Sequence, residues 1–186
     1  MKSIELIPLA AGAQLSLPVL AADVADVLKL PVHVSTLRID MEKAYDSSRR
    51  QYHSTRVLAL LLEHAPPGLS HLLGVTALDL FVPVLTYVFG QAQLGNRAAV
   101  FSYHRLRNEQ YGMAPSQELL QDRALKEALH ELGHTFGLRH CFDHPCAMNT
   151  STYVEDIDLK PAQFCTTCSQ VVHEMLGGVA GASDVR

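Results

Sequence analysis

The chain of 186 residues has no tryptophan, and none of its four cysteines falls before Cys141. A core without Trp must be built from Leu, Val, Ala and a few Phe and Tyr. No stretch is long and apolar enough to span a bilayer. No excess of positive charge exists either, since the formal net charge is -4 and the pI is near 6.2. Nucleic acid and anionic membrane surfaces attract basic patches, so neither is expected as a partner. Repeats and low-complexity runs are also missing. The start, MKSIELIPLAAGAQLSLPVLAA, is apolar with small residues, yet Glu5 interrupts its would-be apolar centre, and Pro8 and Pro18 break the run. It reads as strand then helix rather than as a secretory signal.

What is present suits one compact domain. Hydrophobic residues make up 48% and charged residues 18%, enough apolar material for a real core. Ser3 to Leu9 reads as a strand, and Leu17 to Leu30 has helical spacing, closed by Pro31. Val32 to Ile39 reads as a strand, and Asp46 to His53 as a polar, basic loop. Thr55 to His64 is helical and stops at Pro66, Pro67 and Gly68. Leu72 to Leu80, Tyr87 to Ala92 and Ala98 to Leu106 read as strands, the last two joined at Gly95 and Asn96. Ser116 is a candidate N-cap for a long helix to about Phe136, with Leu119, Leu120, Ala124, Ala128, Leu132 and Phe136 on its apolar face. A last helix is expected from about Pro161 to Leu176, followed by a loose tail. Arg49, Arg50 and Arg56 read as a solvated face.

The chemistry is concentrated in His130 to His140, which reads HELGHTFGLRH. On a helix, His130 and His134 leave the same face, so two imidazoles can occupy two corners of a tetrahedron around zinc. Gly137 is suited to end the helix with a positive φ, which lets His140 return as a third ligand. A fourth position then stays open, as a catalytic zinc requires. Glu131, beside a ligand, is the candidate general base that activates water against a carbonyl. Cys141, Cys146, Cys165 and Cys168 form two short pairs whose four thiolates can close a structural zinc site; two disulfides are the alternative. Thiolate ligands favour a reducing compartment. Met148 is a candidate floor beneath the catalytic zinc. His144 reads as a loop residue, and Tyr153 as a surface or core tyrosine with a lesser chance of reaching an oxyanion.

The full string HExxHxxGxxHCx4CxM followed by Cx2C resembles the archaemetzincins, a branch of the metzincin zinc peptidases. The match covers Leu129 to Cys168 and includes His130, Glu131, His134, Gly137, His140, Cys141, Cys146, Met148, Cys165 and Cys168. The resemblance implies an α/β (α+β) metzincin-like fold with a twisted five-stranded mixed sheet and two long helices. It also implies a small zinc-stabilised C-terminal lobe. The expectation is a single catalytic domain over 1–186, with an upper subdomain 1–137 and a lower subdomain 138–186. Two zinc ions per chain are expected, one catalytic and one structural. The expected activity is peptide hydrolysis on a peptide or small-protein substrate, by a cytoplasmic monomer; the alternatives are a zinc hydrolase of small amides or a two-zinc binding protein with little turnover. The strand Ala98 to Tyr103 is a candidate for pairing with extended substrate, as metzincin edge strands do.

Overall fold

The computed structural model describes residues 2–65 and 71–177. Its strands are β1 (Ile4–Leu9), β2 (Val32–Val34), β3 (Tyr45–Asp46), β4 (Gln51–His53), β5 (His71–Thr76), β6 (Leu80–Phe81), β7 (Gly90–Ala92) and β8 (Ala98–Ser102). Its α-helices are α1 (Leu17–Leu28), α2 (Ser54–His64), α3 (Gln117–Thr135), α4 (Val154–Leu159) and α5 (Thr166–Met175). Five strands make one mixed sheet in the order β2-β1-β5-β8-β7. All its pairings are parallel except β7 with β8.

The period-two alternation of the strands assigns the two faces. Ile4 and Leu6 of β1, Leu73 and Val75 of β5, and Ala99 and Phe101 of β8 pack with α1 and α3. Leu9, Leu72, Ala98 and Val100 face the other way, onto Val57, Leu58 and Leu61 of α2. The first core runs on into the C-terminal segment through Cys146, Met148, Val154, Ile157 and Val172. Among the described residues no helix is long and apolar enough to cross a membrane.

Several expectations need correction. Residues 45–53 are not a simple loop. β3 and β4 pair there, and β6 completes a second, three-stranded sheet. Arg49 is not a freely solvated charge: its Nη2 donates to the carbonyls of Leu85 and Thr86, and its guanidinium lies over the Phe81 ring. The strand from Val32 stops at Val34, and the one from His71 stops at Thr76. The strand expected from Tyr87 is regular only over Gly90–Ala92. The expected strand from Ala98 to Leu106 ends at Ser102, where a 3-10 turn takes over. The edges of the main sheet are β2 and, on the side of α3's histidines, β7, whereas β8 lies inside it between β5 and β7. The short helix α4 has no counterpart in the sequence reading, and α5 begins at Thr166 rather than near Pro161. The proline stop at Pro66 to Gly68 and the tail GGVAGASDVR beyond Gly177, expected to be loose, lie outside the described residues; α2 ends at His64.

Candidate metal centres and cleft

α3 is built to carry a site. Ser116 caps it, its Oγ accepting from the Leu119 N–H at 3.2 Å. Its end is a Schellman motif: Leu138 N donates to Gly133 O and Gly137 N to His134 O, both at 3.0 Å. Gly137 takes φ +90° there, a conformation that favours glycine. The turn brings His140 back towards the helix, so the three imidazoles meet. Ring centroids lie 4.7 Å apart for His130 and His134, 5.3 Å for His130 and His140, and 5.1 Å for His134 and His140.

The hydrogen bonds of these rings suit them to hold a metal ion. His130 Nδ1 donates to Ala147 O at 2.9 Å, and His134 Nδ1 to Leu138 O at 2.8 Å. Each neutral ring then presents a bare lone pair at Nε2, and the two Nε2 atoms are 3.2 Å apart. Two lone pairs facing each other repel unless a cation lies between them. Nitrogens bound tetrahedrally to one zinc stand about 3.3 Å apart, which matches. Burial pushes the ring pKa well down at His130 and down at His134 and His140, with the Lys160 charge adding to it. The rings are therefore held in the neutral form that ligates metal.

Glu131 is buried, with Oε2 finding no hydrogen-bond partner among the described residues. Burial raises its pKa well above the usual carboxylate range, the Glu127 carboxylate adds to that, and Lys160 opposes it. Its carboxyl rests against Gly90 on the edge strand. A Cβ at that position would stand 2.6 Å from both Cγ and Cδ of Glu131. One turn earlier on α3, Glu127 forms a buried ion pair with Lys160 at 2.8 Å. Arg123 binds the Asp158 carboxylate through two nitrogens, at 2.6 and 2.7 Å, and Lys126 donates to Asp158 O. These contacts fasten α4 along α3.

The four cysteines are free thiols, not disulfides. Their sulfurs lie within 4.8 Å of one another, with Cys141 and Cys165 Sγ 3.9 Å apart. Four sulfurs around one zinc stand about 3.8 Å apart. The Cys165 N–H points at Cys146 Sγ at 3.2 Å. The Cys168 N–H holds the Cys165 thiol below its usual pKa, while burial pushes Cys146 and Cys168 up. So tight a group of sulfurs, two buried and two half-buried, suits a dication that keeps all four as thiolates.

Met148 is fully buried, and its sulfur packs where a side chain on Gly133 would otherwise be. Asn149 ties the intervening loop: it donates to the carbonyls of Cys141 and His144 and accepts from Cys146 N. Met148 O also accepts from Cys141 N at 3.0 Å. His144 contributes no ring nitrogen to either cluster. Tyr153 lines the cleft but is 65% exposed.

The three histidines and Glu131 open onto a cleft of about 1070 Å³. Residues 85–92 form one wall and 150–153 the other. Sequence reasoning missed Gly90, Glu127, Lys160, Asn149 and Tyr87. Glu127 was within reach, because position i−4 from Glu131 shares its helix face. Nothing in the local sequence marks the other four.

The profile described as "Peptidase family M54" matches residues 21–174. An archaemetzincin of Methanocaldococcus jannaschii is 43% identical over 125 residues, covering 67% of this chain and 68% of that protein. One of Archaeoglobus fulgidus is 39% identical over 148 residues, covering 80% and 82%. The crystal structure of the Archaeoglobus fulgidus archaemetzincin, complexed with malonate, superposes with a TM-score of 0.78 at 36% identity, covering 91% of this chain and 99% of that one. That of Methanopyrus kandleri gives 0.81 at 33% identity, covering 95% and 96%. With a cleft, a convergent imidazole cluster, a thiol cluster and these relatives in agreement, the chain belongs to peptidase family M54, the archaemetzincins, and is a zinc metallopeptidase.

Proposed function

We infer that the catalytic zinc is held by His130, His134 and His140, with Glu131 as general base. The observation that carries this reading is the pair of Nε2 lone pairs 3.2 Å apart, aimed by carbonyls on Nδ1, beside a buried carboxyl with a free oxygen. A zinc ion held by these residues would supply Lewis-acid polarisation of a carbonyl and a water with its pKa lowered to about 7. Glu131 takes the proton of the attacking water on its carboxylate and passes it to the leaving amine. Burial and the Glu127 carboxylate raise its pKa above the usual carboxylate range, which favours its taking up that proton. Gly90 leaves the room that the carboxyl occupies. The free edge of β7 offers main-chain groups to an extended peptide.

Cys141, Cys146, Cys165 and Cys168 hold a second, structural zinc with no ligand position left for water. Met148 is the floor beneath the histidines, and Gly137 is the turn that returns His140. The chain works as one catalytic domain, in which an upper subdomain of residues 1–137 and a lower subdomain of residues 138–186 share one core. Its substrates are peptides or small proteins, and it acts as a monomer. Free thiols fit a cytoplasmic setting.

Metal analysis and peptide-library cleavage on the same samples test the reading. Wild type carries two zinc ions. Glu131→Ala keeps both and loses about 100- to 10,000-fold in rate. Unchanged turnover would remove Glu131 from the mechanism, and loss of zinc would make it a ligand.

A further inference from the structure

A hydrogen bond joins the two walls of the cleft. Tyr87 Oη donates to the Thr152 carbonyl at 3.0 Å, linking segments 65 residues apart. Both partners are held from behind. The Arg105 guanidinium lies 4.1 Å from the centroid of the Tyr87 ring, and Phe89 meets that ring edge-on at 5.5 Å. Arg105 is itself fixed by two bonds to Asp79, both 2.7 Å, and its carbonyl accepts from Tyr111 Oη at 2.8 Å. On the other wall, Thr152 N donates to Asp156 Oδ2 at 2.8 Å, within the segment that the Arg123–Asp158 and Lys160–Glu127 pairs fasten to α3. The contact is a tie between two anchored walls, not a stray surface bond.

Its place along the cleft sets a length. Gly90 lies against the Glu131 carboxyl, and Tyr87 precedes it by three residues on the same wall. Three residues of chain span at most about 10 Å, so the backbone at Tyr87 stands no farther from Gly90 than about three residues of bound peptide. A peptide pairing antiparallel to the free edge of β7 runs against its direction, so its C-terminal side heads for Tyr87.

The geometry points to a clasp that selects substrate length: Tyr87 and Thr152 limit a substrate to about three residues beyond the cleaved bond on its C-terminal side. The enzyme then releases short C-terminal fragments in preference to cutting inside long chains. This inference rests on the peptidase reading of the histidine site.

The test uses the zinc-loaded protein and its Tyr87→Phe variant, which keeps the ring under Arg105 and lacks the hydroxyl. Peptides with a common N-terminal half and one to six residues beyond the cleaved bond give kcat/KM. Hydroxamates presenting the same extensions give affinity by calorimetry. Both quantities hold up to about three residues in wild type, then fall about three- to tenfold, the worth of opening one exposed hydrogen bond. Tyr87→Phe abolishes the fall. Equal treatment of short and long extensions by wild type overturns the clasp. So does a fall that Tyr87→Phe does not relieve, or a limit on the N-terminal side instead. Length-limited hydroxamate binding without cleavage of any peptide upholds the clasp and overturns the peptidase reading. Failure to bind hydroxamates at all overturns both.

Discussion

Replacing Gly90 by alanine separates the positioning of Glu131, the proposed base, from the binding of metal. The backbone at Gly90 does not take a positive φ, so alanine adds only a Cβ. That atom would stand 2.6 Å from Glu131 Cγ and Cδ, while carbon atoms at rest keep about 3.5–4.0 Å, so the carboxyl must retreat by about 1 Å. The side chain can yield, since Glu131 Oε2 has no partner to hold it. The cost in stability is thus that of an off-rotamer side chain, about 0.5–1.5 kcal/mol. The cost in rate is larger, because a misplacement of about 1 Å typically takes about 100-fold from kcat. His130 and His134 are anchored by Ala147 O and Leu138 O, not by Gly90, so zinc content stays at the wild-type level. Steady-state kinetics and zinc analysis should be run on Gly90→Ala, on Glu131→Ala and on the double variant. With the carboxyl already removed, the extra methyl has nothing to displace, so the double variant is no slower than Glu131→Ala alone. If Gly90→Ala keeps kcat within about threefold of wild type, or loses zinc along with rate, the reasoning is refuted.

Two further perturbations probe the C-terminal lobe. Lys160→Met strands the Glu127 carboxylate in a buried position, costing about 3–5 kcal/mol, while Glu127→Gln in the same background recovers most of it. Thermal melts read this as a fall of about 10 °C or more in Tm, and a small shift would show that water reaches Glu127. Cys165→Ser weakens binding at the histidine site, because the Cys141–Asn149 loop carries Met148 and the Ala147 carbonyl that aims His130. His134→Ala empties the histidine site yet leaves the cysteine site filled. Zinc titration with X-ray absorption on both variants decides whether the coupling runs in that one direction.

The legible stretches of this chain are those in which one local rule decides the structure. Ser116 before an apolar stripe and Gly137 after it bound α3 almost to the residue, because cap and Schellman motif satisfy the helix ends locally. The candidate metal ligands are readable for the same reason: their spacing is what gathers the three histidines and the four cysteines into two clusters. What escapes notice depends on partners far along the chain. β3, β4 and β6 have two or three residues each, too few to show a period, and exist because they pair with one another. The edge role falls to β7 because β8 finds a parallel partner in β5, a choice that no window of sequence contains. Lys160 looks like any surface lysine until Glu127 is placed opposite it. Arg49 escapes likewise, since the carbonyls that receive it belong to residues 85 and 86.

The sheet order also fixes when the site can come into being. β1 sits in the interior of the sheet between β2 and β5, and roughly sixty residues separate it from β5, so closing that loop alone costs about 3.6 kcal/mol in chain entropy beyond a constant. Parallel pairings of this reach place folding among the slower topologies. α3 has little to pack on until β5 and β8 are aligned, because its apolar face meets Leu73, Val75, Ala99 and Phe101. His140 comes later still in the chain, beyond the helix that must be seated first. A partly folded chain can therefore offer a metal ion two helical imidazoles at most. The third belongs to the segment after Gly137, so the three imidazoles converge only when that segment is seated on the same core as α3.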